Sequence, residues 1–77
     1  MQELIIGIED ATQSLPGLVK PDTVLRAMEG WDSLGVVSFI SLLAERHGVE
    51  VAVEDLQECP TVKDLFDMLV RKGATGL

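Results

Sequence analysis

Few side chains in this 77-residue sequence are equipped for nucleophilic, acid–base or metal chemistry: four serines, one histidine, one cysteine and thirteen acids. Only one nucleophile is clearly presented. Ser33 follows Gly30-Trp31-Asp32, where the chain leaves a loop, and it opens an apolar-periodic stretch. Ser38 and Ser41 fall inside that stretch, and Ser14 stands at a helix end before a proline. A hydroxyl at a helix start lies beside the first unpaired backbone N–H groups, and a phosphate esterified there sits in the positive end of the helix dipole. The position therefore suits a phosphodiester. On position alone the simpler reading is a plain N-cap, a role open to Asp32 just before it as well.

Catalysis by this serine finds no support nearby. His47 lies about four turns further along the same helix, too far to act as its base, and reads as the core-edge residue ending an apolar stripe. One histidine and one cysteine do not make a structural zinc site. No catalytic residue and no metal ligand is assigned, and the chain is not expected to be an enzyme.

Three amphipathic stretches must position Ser33. Leu4, Ile5, Ile8, Ala11 and Thr12 recur at helical spacing, Leu15 extends the stripe, and Pro16-Gly17 ends it. Residues 16–31 lack clear periodicity, and a connection of that length is usually functional or pinned. Leu18, Val19, Val24, Leu25 and Met28 are the side chains able to pin it, around a short helical turn over residues 22–27 capped by Asp22. The second helix is expected over Ser33–His47, with Val36, Phe39, Ile40, Leu43 and His47 on one face and Gly48 as its terminator. Val49, Val51 and Val53 alternate with Glu50 and Ala52. With no second run to pair with, they read as an extended linker into a helical turn at residues 54–57. Thr61 and Asp64 form a capping box for the last helix, whose buried stripe is Val62, Leu65, Phe66, Leu69 and Val70. Gly73 stops that helix, and residues 73–77 are expected to fray. The pattern is one domain over residues 1–77 and an all-α fold, a small four-helix bundle of three longer helices and one short one with a long first loop.

The composition bounds the partners. An apolar fraction of 47% is that of a folded chain, and with only Trp31, Phe39 and Phe66 as aromatics its core must be aliphatic. A net charge of −7 disfavours nucleic acid and anionic membrane surfaces. It suits partners that present basic patches, or serves solubility alone. Cys59 has no second cysteine to pair with, so the cytoplasm is the expected location. The apolar run at residues 4–8 is too short for a signal peptide or a membrane span. A monomer is the default.

The segment Gly30-Trp31-Asp32-Ser33-Leu34-Gly35-Val36-Val37 resembles the signature of the acyl carrier proteins, in which Asp-Ser-Leu opens the second helix. The order of helix, long loop, helix, short helix and helix over residues 2–72 resembles that family too. So do Val49-Glu50-Val51 before Glu54-Asp55-Leu56, and Thr61-Val62-Lys63-Asp64-Leu65. The resemblance implies a bundle of the acyl-carrier type, with a 4'-phosphopantetheine arm derived from coenzyme A attached to Ser33 and acyl intermediates held on it as thioesters. Asp32 and Leu34 would flank the attachment point. Asp32 would belong to the surface read by a phosphopantetheinyl transferase. Trp31, Val37, Ser38 and Ser41 would form a docking face for an acyl-loading ligase and for acyl-processing or transferase enzymes. The second helix departs from the best-known fatty-acid carriers in bearing one acid, Glu45, beyond Asp32. That implies a specialised carrier in lipid, cell-envelope or secondary-metabolite biosynthesis. Two other readings stay open: an aminoacyl or peptidyl carrier, and an unmodified helical adaptor.

Overall fold

A computed structural model describes all 77 residues, and the elements run α1 (Gln2–Thr12), a 3-10 turn (Leu25–Ala27), α2 (Ser33–His47), α3 (Val53–Gln57) and α4 (Val62–Arg71). The fold is the all-α bundle that the periodicity demands, with no strand and one isolated bridge between Val24 and Thr61.

One core joins every element. Leu4 and Ile8 of α1, Phe39 and Leu43 of α2, Leu56 of α3, and Val62, Leu65 and Leu69 of α4 are all buried, together with Leu25 from the loop. Burying each such side chain contributes roughly 1.5–3 kcal/mol before the entropy of ordering is subtracted. α1 meets α2 closely at Gly7, where a Cβ would stand 2.9 Å from Leu42 Cδ2.

The helix ends explain where the sequence expectations shift. α1 stops at Thr12 because Gln13 turns left-handed at φ 56°, and the Ser14 N–H then bonds back to the Glu9 carbonyl at 2.9 Å. The chain has already turned away when it reaches Leu15, which is 71% exposed rather than part of the stripe. α2 spans Ser33–His47 as expected and ends at Gly48, φ 63°. Thr61 and Asp64 build the expected capping box: the Asp64 N–H donates to Thr61 Oγ1 at 3.3 Å, and the Thr61 N–H to Asp64 Oδ2 at 3.2 Å. In α4 the buried partner of Leu65 and Leu69 is Met68, whereas Val70 faces solvent and Phe66 is half-buried.

The long loop is pinned by backbone pairing as well as by side chains. The Leu25 N–H donates to the Pro60 carbonyl at 2.9 Å, the Val62 N–H to that of Thr23 at 3.1 Å, and the Lys63 N–H to that of Pro21 at 2.9 Å. Pro21 and Asp22 lie in a turn closed by the Thr23 N–H on the Lys20 carbonyl at 3.1 Å, and Val24 is extended opposite Thr61, so the helical turn is confined to Leu25–Ala27 with Val24, not Asp22, as its N-cap. Val19 and Leu25 are buried and Met28 half-buried, but Leu18 and Val24 remain exposed. The last residues are tied down as well. The Thr75 N–H donates to the His47 carbonyl at 3.0 Å, and the Thr75 carbonyl lies 2.7 Å from His47 Nδ1. A carbonyl only accepts, so Nδ1 carries the proton in this contact. His47 is buried at the end of the apolar face, the structural role its position on the stripe implies.

Candidate functional site

The site is organised by the start of α2. Asp32 is extended and its Oδ1 accepts the Gly35 N–H at 3.0 Å, while its carbonyl accepts the Val36 N–H at 2.8 Å. Asp32 is therefore the N-cap, and Ser33 is the first helical residue. Of the two side chains able to cap this helix, the Asp32 carboxylate takes the role, and the Asp32 backbone carbonyl accepts the first intrahelical bond. The Ser33 hydroxyl is left exposed with no hydrogen-bond partner in the chain.

Two glycines set the approach to this turn. Gly30 is left-handed at φ +88°, and its carbonyl oxygen lies 1.8 Å from where a Cβ on Gly35 would be built. The loop can close on the first turn of α2 only because residue 35 has no side chain. Gly35 is consequently buried and takes no part in the exposed face of the helix.

Ser33 opens onto a groove of about 580 Å³ between α2, α3 and the loop. Its walls are Leu25, Trp31, Val36 and Val37 on one side and Val53, Leu56, Cys59 and Pro60 on the other, with Gln57, Asp32 and Arg26 as the polar members. Trp31 is half-buried, its ring tilted 57° against Phe39 at a centroid distance of 5.5 Å. That contact holds the indole as a wall of the groove. Cys59 donates from Sγ to the Asp55 carbonyl at 3.4 Å. Burial pushes its thiol above the ordinary value, and the nearby Asp64 carboxylate adds to the effect. A thiol held in this form is a poor nucleophile, so Ser33 stands alone as the presented nucleophile of the groove.

The remaining residues expected at the site lie on the outer face of α2. Leu34 is 80% and Val37 56% exposed, and Ser38 and Ser41 are exposed beside them at helical spacing. Leu34 and Val37 therefore do not pack beneath the loop. Val37 lines the groove, whereas Ser38 and Ser41 do not. Arg46 is drawn off this face by Asp10 of α1, at 2.9 Å. Arg26, Val53, Gln57 and Pro60 join the groove without any sign of it in the sequence pattern. The short α3 carries too little periodicity to show which of its sides faces Ser33.

Comparison with known proteins agrees with this arrangement. The phosphopantetheine attachment site family matches residues 3–69. The acyl carrier protein of Syntrophobacter fumaroxidans (strain DSM 10017 / MPOB) is 44% identical over 45 residues. That segment is 58% of this chain and 56% of that protein, so the match spans little more than half the curated relative. No solved structure matches the chain. A family match running from α1 into α4 includes the presented serine and every helix around it: the chain belongs to the phosphopantetheine-attachment family of acyl carrier proteins, whose covalent cofactor is 4'-phosphopantetheine.

Proposed function

We propose that the chain carries acyl groups on a 4'-phosphopantetheine arm esterified to Ser33 Oγ and presents them to separate enzymes, with no catalytic site of its own. The observation that supports this most directly is the state of Ser33: an exposed, unbonded hydroxyl in the first turn of a helix, at the mouth of an apolar groove. The residues fit the arm. Asp32 caps the helix, which frees the hydroxyl for modification, and the amides of Ser33 and Leu34 precede the first intrahelical bonds and so are available to a phosphate on Ser33. The bound group supplies a terminal thiol that holds the acyl group as a thioester. This chain contributes attachment, orientation and a surface to be read.

That surface is Leu34, Val37, Ser38 and Ser41, an exposed apolar and hydroxyl face, with the half-buried Trp31 and the Asp32 carboxylate at its end. Docking there draws on apolar area more than on charge, since the net −7 of the chain is placed elsewhere. We assign to it the phosphopantetheinyl transferase and a dedicated acyl-loading ligase or transferase, in the cytoplasm. The apolar groove favours an acyl over an aminoacyl cargo, because a free ammonium group would be poorly solvated there.

Intact mass before and after incubation with a broad-specificity phosphopantetheinyl transferase and coenzyme A tests the reading. One added phosphopantetheine, absent in Ser33→Ala, is the expected result. No gain by the folded protein would leave an unmodified adaptor. Loading by an amino-acid adenylating enzyme in preference to acyl ligases would make the chain an aminoacyl carrier.

A further inference from the structure

Arg26 is the one cation that lines the groove beside Ser33, and it is unpaired. The two ion pairs of the chain, Arg46–Asp10 and Lys72–Asp55, both lie outside the groove lining. The side chain is exposed on the 3-10 turn, whose position is set by the buried Leu25 beside it and by the Leu25–Pro60 backbone bond. The turn thus carries a guanidinium to the groove on a fixed base, and no carboxylate of this chain takes it up.

The charge balance at the groove gives that cation a task. The other charged residue of the lining is Asp32, directly before Ser33. A phosphodiester on Ser33 Oγ brings a permanent negative charge next to that carboxylate, in a chain already at −7. Like charges so close oppose each other unless a cation stands between them or beside them. We propose that Arg26 is the positioning residue of the arm: its guanidinium pairs with the phosphodiester at Ser33, through the planar donor fork that suits phosphate oxygens, and directs the arm along the groove rather than into solvent. The proposal rests on the carrier reading above and extends it to a residue outside the Asp-Ser-Leu segment.

The test compares apo, holo, acetyl-loaded and succinyl-loaded protein labelled with 15N-arginine. The chain has three arginines, Arg26, Arg46 and Arg71, so the Nε–H signals are few and assignable with Arg26→Gln. On conversion from apo to holo, the Arg26 Nε–H signal is expected to shift and its exchange with water to slow. Arg46 and Arg71 should stay in place, and added salt should erase the change, as it would for an exposed ion pair. In Arg26→Gln holo protein the 31P resonance of the arm should move to the position it has at high salt. An Arg26 signal identical in apo and holo protein overturns the proposal. So does one that moves only on succinyl loading, which would assign the guanidinium to a cargo carboxylate. Failure of the mass gain would overturn the carrier reading itself, and is seen before any spectrum is taken.

Discussion

The carbonyl oxygen of Gly30 occupies the space in which Gly35 would carry a side chain, 1.8 Å from an ideal Cβ. This contact seats the long loop on the first turn of α2 and so fixes the loop wall of the groove, including Trp31, relative to Ser33. Gly35→Ala must push the loop away. A cost of about 1–3 kcal/mol or more is expected from the overlap, read as a lower urea midpoint, with greater exposure of Trp31 fluorescence to quenchers. Gly48→Ala is the contrasting case. A Cβ there meets nothing, but the left-handed φ of 63° disfavours alanine, so stability should fall with Trp31 unmoved.

Asp32 and Ser33 divide their roles, and mutation should separate them. Asp32→Ala removes the cap and should cost about 0.5–2 kcal/mol. Ser33→Ala removes an exposed, unbonded hydroxyl and should change stability by no more than about 0.5 kcal/mol, while abolishing phosphopantetheine attachment. Thermal unfolding and intact mass on the two variants check both halves.

Phe39 is fully buried and supports both the core and Trp31. Phe39→Ala should cost about 3–5 kcal/mol, a large part of the total stability of a domain this small. Val70→Ala, at a half-exposed position of α4, should cost far less. Chemical denaturation of the pair measures the contrast between buried and exposed positions.

Stability should decline at both ends of the pH scale for identifiable reasons. The Asp55 carboxyl is held below its ordinary value, first by the Ala52 N–H bond and then by Lys72. Its contribution is present above the unfolded carboxylate value and is lost as acid protonates it. The Cys59 thiol is raised by burial, so its contribution is present below the unfolded thiol value and fades as pH rises past it. Asp55→Asn should flatten the acid limb of a stability–pH curve, and Cys59→Ala the alkaline limb. Alkylation of native Cys59 should be slow compared with the same chain in urea.

The periodic signals were strong enough to be read without a structure. Phe39 and Leu43 on one face of α2, Leu65 and Leu69 in α4, and the Thr61–Asp64 box each depend on spacing along a single helix, which local sequence encodes. Ser33 was legible as a presented hydroxyl for the same reason, since two N-cap residue types between a glycine-marked loop and an apolar stripe mark a helix start; its role as an attachment point came from the family resemblance.

The residues that escaped such reading answer to contacts distant in sequence. Leu15 falls on the spacing of α1 yet is exposed, because the turn at Gln13 ends the helix first. Asp22 has the chemistry of a cap, but pairing of residues 21–24 with residues 60–63 takes that backbone away from the helix. Spacing alone thus determined the three longer helices and one presented serine. Only the packed chain decided that Asp32 rather than Ser33 caps α2, that Gly35 must be bare to receive Gly30, and that Arg26 shares a groove with Ser33. The physical reason is range: a helix is written in neighbours three and four apart, whereas a groove is made by whichever segments the core brings together.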